Sequence, residues 1–405
     1  MRASTRDARM NGATVLVVVS FLSFVMLGLP DGMLGIAWPS MSRSLSLPLG
    51  SLGALLLGGT VGYVSTTTAL GFLITGLGYG RLLILSALSM TAGGVLIAVS
   101  PVWFALIAGA ALMGAGGGML DGGLNAYGAA HFRPRDLNWL HAAYGIGATL
   151  GPVVMTPLVV GGGSWRTGYV LFAVSAAVVA GTFFAIRRRW VPTSGDPRQG
   201  EDTPTSQWPR PPRLRVVVPL SVTLFFLYTG MEVVAGQWAF SLFTLRRGIP
   251  EAAAGTWVAL YWGALTVGRI AFGGIAERVA PVTILRAVVA SSVLSAGLIL
   301  VPSPPIVGAL GLVLFGASLA PMFPLLIAET PRRVGSRLAQ HVIGVQIAAA
   351  NLGAVSLVGA IGVGVESIGL EVVPMVLLAV TLAFALVHEV VVRLTAAPVY
   401  SDARS

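Results

Sequence analysis

The sequence predicts an all-α membrane protein with twelve transmembrane helices in two repeats of six. The chain has 405 residues, of which 55% are hydrophobic and only 10% are charged, and its mean hydropathy is +0.86. Apolar runs of about 20 residues recur from end to end, and each is long enough to cross a bilayer. Only helices and closed barrels can span lipid, because every backbone polar group needs a partner there. These runs are too long and too continuously apolar for barrel strands, so a helical bundle is expected.

Twelve apolar spans can be placed along the chain. They lie at approximately 14–38, 50–75, 82–100, 102–129, 138–161, 166–186, 215–243, 252–273, 281–301, 304–328, 338–363 and 370–394. The opening segment MRASTRDARM is basic, but the apolar run after it is too long for a cleavable signal peptide and lacks a small-residue cleavage site. We therefore expect the first span to remain as a helix.

The arginines are distributed unevenly between the two ends of the predicted bundle. The chain has no lysine, and the loops on one side hold only Arg43, Arg166, Arg246 and Arg247. The other 21 of the 25 arginines fall on the opposite side or at its helix ends. Because cytoplasmic loops are enriched in basic residues, this pattern places both termini in the cytoplasm of a bacterium, with the protein in the plasma (inner) membrane.

A polar segment divides the chain into two halves. Residues 188–213, rich in Pro, Arg, Ser and Asp, form a predicted cytoplasmic linker between an N-terminal half, 1–187, and a C-terminal half, 214–405. The halves repeat weakly at an offset of about 202 residues, with glycines matched at Gly71 and Gly273, Gly114 and Gly316, and Gly151 and Gly353. Two parallel repeats are typical of transporters whose site lies between the halves.

Two acids occupy matching positions in the first helix of each half. Asp31 and Gly35 align with Glu232 and Gly236 at nearly the same offset. Pro30 precedes the first acid, and its missing N–H predicts a kinked or locally opened helix there. The alternative is that both acids sit near helix ends and reach the headgroups.

A third acid, Asp121, lies inside the fourth span. Asn125 follows one helical turn later, so the two side chains share a face. A charge at the centre of a bilayer costs about 2.5 kcal/mol or more, so it has to face a cavity, a partner or water. We interpret Asp31, Asp121 and Glu232 as proton-coupling residues.

Polar and aromatic residues at membrane depth are candidates for contacts with a solute. Helix–helix hydrogen bonds and interfacial anchoring are the alternative roles for such residues. The substrate-binding candidates are Asn125, Asn138, His141, Tyr144, Gln237, Trp238, Tyr261, Trp262, Gln346 and Asn351.

The span count, the central linker and one loop motif resemble the major facilitator superfamily over residues 15–394. Its signature G-x-x-x-D-R-x-G-R is similar to Gly273-Gly274-Ile275-Ala276-Glu277-Arg278, with Glu in place of Asp. The matching stretch of the first half, from Gly71 to Gly76, lacks the acid. The resemblance implies gating or structural roles for Gly71, Gly273, Glu277 and Arg278.

Within that superfamily the chain is most similar to the fucose–galactose–glucose proton symporter branch. The resemblance is carried by Asp31, Asp121, Asn138 and the turn Pro321-Met322-Phe323-Pro324. Gly147-x-x-x-Gly151-Pro152 also resembles the fifth-span motif of proton-driven drug antiporters, although the Gly-Gly that follows in those proteins is absent. The resemblance thus implies proton symport, with antiport as the alternative.

The sequence carries no phosphate loop, nucleotide fingerprint or nucleophile motif, and it has no cysteines. We therefore expect no enzyme activity, no metal or other cofactor, no nucleic-acid partner, and an ion or substrate gradient as the energy source. The functional prediction is a monomeric secondary transporter that moves a small polar solute, a sugar, by proton symport with alternating access. An exporter running as an antiporter is the first alternative, and a receptor or scaffold that moves nothing is the second.

Overall fold

The computed structural model describes residues 2–160, 163–190, 214–275 and 279–395, except for the side chains at 2–13, 134, 138, 273–275, 336, 337 and 340. Within these ranges the chain forms thirteen α-helices and no strands. The helices are α1 Arg2–Ser44, α2 Leu52–Thr68, α3 Leu70–Val99, α4 Trp103–His131, α5 Pro134–Val160, α6 Trp165–Ile186, α7 Leu214–Ser241, α8 Glu251–Ile275, α9 Pro281–Leu300, α10 Pro305–Leu319, α11 Met322–Val334, α12 Ser336–Ile368 and α13 Val372–Thr395.

The predicted all-α membrane fold is confirmed. Eleven helical segments of the described chain are long and apolar enough to cross a bilayer, with α10 and α11 counted together as one. The remaining helix, α8, has 25 residues, which is also sufficient length, but it carries Glu251 and Arg269. The linker predicted at 188–213 lies outside the described residues from 191 onward.

The tenth predicted span, 304–328, is two helices rather than one. α10 ends at Leu319 and α11 begins at Met322. Pro321 and Pro324 lack the N–H that a continuous helix needs and their rings crowd the preceding turn, so the helix breaks here. The structure therefore places a hinge-like interruption in the middle of this crossing.

Two other features of the helices differ from the sequence prediction. α1 runs without a break through Pro30 and Pro39, so the opened turn expected at Asp31 is not observed. The loop expected between the second and third spans is helical from Leu70, and the chain bends at Gly78, whose φ of 73° is rarely adopted by residues with a side chain. Gly71 therefore lies in the first turn of α3, with no atom within 4 Å of a Cβ built on it.

Helices of the two halves meet across a central interface. We call the end of the bundle where α6 ends and α7 begins the linker face, and the opposite end the far face. α1 packs against α7, α5 against α8, and α2 against α12. The halves approach closely on the far face, where a Cβ built on Gly53 would lie 2.5 Å from the Cα of Gly359. Beside it, the N–H of Gly50 donates to Glu366 Oε1 at 2.8 Å.

The arginines of the far face have local partners. Arg166 Nη1 donates to the carbonyls of Ala98 and Ser100, at 2.9 and 2.7 Å, and so satisfies the C-terminal end of α3. Arg247 forms an ion pair of 3.1 Å with Glu371. These contacts give Arg166 and Arg247 structural roles on the far face, which carries few arginines.

Helices α2 and α12, which approach each other at Gly53 and Gly359, separate toward the linker face. Val64 of α2 and Val345 of α12 are 42% and 55% exposed. On α5, His141 is exposed as well, although it lies inside the bundle. The interface between the halves is thus closed at the far face and opens toward the linker face.

Candidate functional site

Asp31 lies on α1 at the interface between the halves. The hydroxyl of Tyr144, on α5, donates a hydrogen bond to Asp31 Oδ2. From the other half, Gln237 Nε2 on α7 donates to the backbone carbonyl of Asp31 at 2.9 Å. Asp31 is also within electrostatic range of Glu232. Asp31 therefore has hydrogen-bond partners in both halves.

Asp121 is held by neutral donors on two helices. Tyr63, on α2, donates its hydroxyl to Asp121 Oδ2 at 2.5 Å. Asn125 Nδ2 donates to Asp121 Oδ1 at 2.8 Å, as the one-turn spacing predicts. His141, on α5, is within electrostatic range of Asp121 and presents an exposed ring on the open side of the interface.

Glu232 differs from the two aspartates because a cation balances its charge. Arg269, on α8, donates through Nη2 to Glu232 Oε2 at 2.9 Å and to Oε1 at 3.2 Å. Tyr228, one turn earlier on α7, donates to Glu232 Oε2 at 2.5 Å. The carboxylate is 9% exposed, and the hydroxyl of Tyr261 donates to the Glu232 carbonyl at 2.8 Å.

Three of these residues were missed from the sequence. Arg269 was counted with the arginines of the cytoplasmic side, because it lies only six residues before Ile275, the last residue of α8. The available signal was its place inside an apolar span, because an intramembrane acid such as Glu232 needs a partner. Tyr228 could have been found from its i, i+4 spacing to Glu232. Nothing in the sequence indicates that Tyr63 would reach Asp121.

The remaining candidates are distributed between the interface and the packed core. Trp238 and Tyr261 are fully buried and Trp262 is 3% exposed. Gln346 accepts a hydrogen bond from Thr330, and Asn351 bonds the Ile347 carbonyl within its own helix. These contacts agree with the structural alternative for the polar and aromatic residues, and their role in binding stays a prediction. The side chain of Asn138, the surroundings of Gly273, and the residues Glu277 and Arg278 lie outside the described part.

The antiporter-like motif of the fifth span has a packing role in this structure. A Cβ on Gly151 would lie 2.6 Å from the Leu29 carbonyl oxygen, and one on Gly147 would collide with the Val25 carbonyl. These glycines let α5 lie directly against α1, which holds Tyr144 within reach of Asp31.

Several buried polar atoms at the interface have no hydrogen-bond partner in the described chain. They include Gln237 Oε1, Trp262 Nε1 and Arg269 Nε. Trp262 and Arg269 are seven residues apart on α8 and so share one helix face with Thr266, which approaches Thr149 of α5 at 3.3 Å. This face of α8 therefore places polar groups at the contact between the two halves.

Comparison with known proteins gives the family. Residues 20–397 match the sequence profile of the Major Facilitator Superfamily. Human sodium-dependent glucose transporter 1 is 25% identical over an alignment of 386 positions, which covers 84% of this chain and 72% of the human protein. The crystal structure of a nucleoside transporter, NupG, has the same fold, with a TM-score of 0.74 at 13% identity over 94% of this chain and 99% of that one.

Two further structures share this fold. The inward-open xylose transporter XylE from E. coli has a TM-score of 0.70 at 12% identity, covering 92% of this chain and 95% of its own. FucP in an outward conformation has a TM-score of 0.58 at 16% identity, covering 93% and 99%. The chain belongs to the Major Facilitator Superfamily, and its family and fold are those of membrane transporters rather than of enzymes.

Proposed function

We propose that the protein is a proton-coupled symporter of a small polar solute, a sugar, that works by alternating access between the two halves. The observation that carries the proposal is the contrast among the three membrane acids. Asp31 and Asp121 are held by hydroxyl and amide donors only, whereas Glu232 is paired with Arg269. The two aspartates can therefore take up and release a proton without breaking an ion pair.

The roles follow from position. Asp31 lies against the interface contacts that close the far face, and it would receive the proton when that face is open. Asp121, Asn125 and His141 lie on the open side, where they offer acceptors and donors to solute hydroxyls. Glu232 and Arg269 would keep the second half neutral while the interface rearranges.

A sugar is supported by the human relative's name and by the hydrogen-bonding groups around Asp121, and a nucleoside carries the same hydroxyl chemistry. A thermal-shift screen of the purified protein against sugars, nucleosides, amino acids and cationic drugs identifies the solute, because a ligand that binds only the folded state raises its stability. Uptake into vesicles under imposed pH gradients of either sign then separates symport from the exporter, and absence of any solute flux indicates a receptor or scaffold.

Removing the charge of either aspartate should uncouple transport from the proton gradient. Asp121→Asn and Asp31→Asn keep shape and hydrogen-bonding capacity but cannot exchange a proton. We expect both variants to purify normally and to exchange solute between equal concentrations, yet to lose accumulation driven by a pH gradient. A pH-electrode trace of solute-driven proton movement is the second readout.

The control is Asn125→Ala, which removes a donor but no titratable group and should weaken solute affinity without uncoupling. Accumulation and proton flux at wild-type levels in both Asn variants would remove the two aspartates from the coupling mechanism. A fall in yield and melting temperature together with all transport would instead indicate that the acids tie helices together.

The arginine asymmetry supports a cytoplasmic linker face in a bacterial plasma membrane. A reporter that is active only in the cytoplasm, fused after Pro204, should be active, and the same reporter fused after Gly163 on the far face should be silent. The opposite pattern would invert the topology and the direction assigned to transport.

A further inference from the structure

Glu366 lies at the end of its own helix where a carboxylate is least favourable. It is in the last turn of α12, which ends at Ile368. The C-terminal end of a helix carries partial negative charge on its unpaired carbonyls, so it repels an acid placed there. Among the described residues no arginine forms an ion pair with Glu366, and Arg246 and Arg247 at the same end pair with Glu371 instead. The second half therefore supplies Glu366 with neither a cation nor a favourable helix end.

The partner of Glu366 is the beginning of a helix in the other half. The N–H of Gly50 donates to Glu366 Oε1 at 2.8 Å. Gly50 lies in the short 3-10 turn Leu49–Ser51, which leads directly into α2. The first N–H groups of a helix have no partner within that helix, and they carry the positive end of its dipole. The carboxylate is thus repelled by the end of α12 and attracted by the beginning of α2.

The surroundings of Gly50 hold this N–H in place. A Cβ built on Gly50 would lie 2.5 Å from the carbonyl oxygen of Gly362, so α2 and α12 can approach this closely only with glycine at the position. The indole N–H of Trp38, which is fully buried on α1, donates to the carbonyl of Leu49 at 2.7 Å. The turn is therefore fixed to the first half, and its hydrogen bond to the second half has to break when the far face opens.

The contact of Glu366 is therefore specific to one state of the bundle. While the far face is closed, the carboxylate lies against a favourable helix end, and once the face opens only the unfavourable end of α12 remains. We propose that Glu366 is the latch of the far face, a carboxylate that caps the first turn of α2 across the interface and thereby stabilises the far-closed state. The latch rests on the alternating access proposed above, but on neither the solute nor the coupled ion.

A single thiol can report how often the far face opens. The chain has no cysteine, and Thr149→Cys places one at the α5–α8 contact, where Thr149 approaches Thr266 at 3.3 Å. The full-length protein is labelled with a membrane-impermeant maleimide in sealed vesicles that expose the far face. When opening is fast relative to labelling, the rate follows the open population. We expect Glu366→Ala to raise the rate about fivefold, and Glu366→Gln, which keeps an acceptor oxygen without the charge, about twofold.

Two control variants lie close to the latch. Ser367→Ala changes the next residue, whose hydroxyl bonds only the carbonyls of Val363 and Gly364 in its own helix, and it should keep the wild-type rate. Arg43→Gln removes another charged contact between the halves, an ion pair of 3.9 Å with Glu251 in which the Arg43 side chain is 66% exposed. Exposed pairs of this kind contribute little, so the rate should change by less than about twofold.

A wild-type labelling rate in Glu366→Ala would overturn the latch. An equal acceleration in Arg43→Gln would overturn it as well, because general surface charge would then hold the halves together. The same acceleration in Ser367→Ala would attribute the effect to a loosened end of α12. Labelling needs neither a solute nor a proton gradient, so failure here leaves the coupling roles proposed for Asp31 and Asp121 standing.

Discussion

Replacing Gly53 with leucine should hold the far face of the bundle open and abolish transport. A Cβ at this position would lie 2.5 Å from the Cα of Gly359 and 3.1 Å from its nitrogen. These are backbone atoms, so the contact cannot be relieved by turning a side chain. The clash exists only while α2 and α12 are together, and it therefore destabilises the far-closed state alone. Overpacking of this kind costs about 1–3 kcal/mol, and about 1.4 kcal/mol changes a population tenfold.

The chain contains no cysteine, which makes the measurement direct. Thr149→Cys places a single thiol at the α5–α8 contact, behind the far-face closure. Its labelling by a membrane-impermeant maleimide from the far face should become about tenfold faster when Gly53→Leu is added. Solute binding should persist, because the acids and their partners are untouched.

Gly297→Leu is the control, because no atom lies within 4 Å of a Cβ built there. It should change neither labelling nor transport. Wild-type labelling and transport in Gly53→Leu would mean that the α2–α12 contact is not part of the closure.

The helical bundle could be predicted from the sequence because its determinants are local. Apolar runs of sufficient length allow only membrane helices. The offset that aligns Asp31 with Glu232 can also be read from the sequence, and their shared role stays a prediction. The break in the tenth span is also local chemistry, since Pro321 and Pro324 remove helical hydrogen bonds. The sequence shows a turn here but still predicts a single span, because apolarity continues unchanged across it.

The hydrogen-bond and ion-pair partners Tyr63 and Arg269 could not be predicted in the same way, because they lie on other helices than the acids they contact. Tyr63 reaches Asp121 only once α2 and α4 are packed, and no spacing in the sequence relates the two positions. Arg269 was misassigned because a count of arginines by side does not register depth. A rule that seeks a base inside another span for each intramembrane acid would have made Arg269 a candidate partner of Glu232.

These partners also distinguish three acids that look similar in the sequence. From the sequence, Asp31 and Glu232 are interchangeable candidates for carrying a proton. In the structure only Glu232 has a cation within ion-pair distance, at 2.9 Å. A carboxylate that is paired with a cation contributes less to charge movement than one whose hydrogen-bond donors are uncharged. For this reason we propose that the aspartates of the first half, rather than Glu232, carry the proton.

Arg269→Gln should therefore be among the most destabilising single changes in the chain. It leaves the Glu232 carboxylate, 9% exposed, with a tyrosine donor and no balancing charge. Breaking a buried ion pair by removing one partner costs about 3–5 kcal/mol, because the other charge stays buried. We expect a lower yield and a clearly lower melting temperature than in the wild type.

The double variant Arg269→Gln/Glu232→Gln separates charge balance from proton carriage. Two neutral amides leave no unpaired charge, so most of the lost stability should return. If Asp31 carries the proton, pH-driven accumulation should return with it. A double variant that is no more stable than Arg269→Gln would mean that the arginine acts through packing or through its contact with Tyr228 at 3.2 Å. Recovered stability without accumulation would instead place Glu232 beside Asp31 in the proton path, since the double variant keeps every other membrane acid.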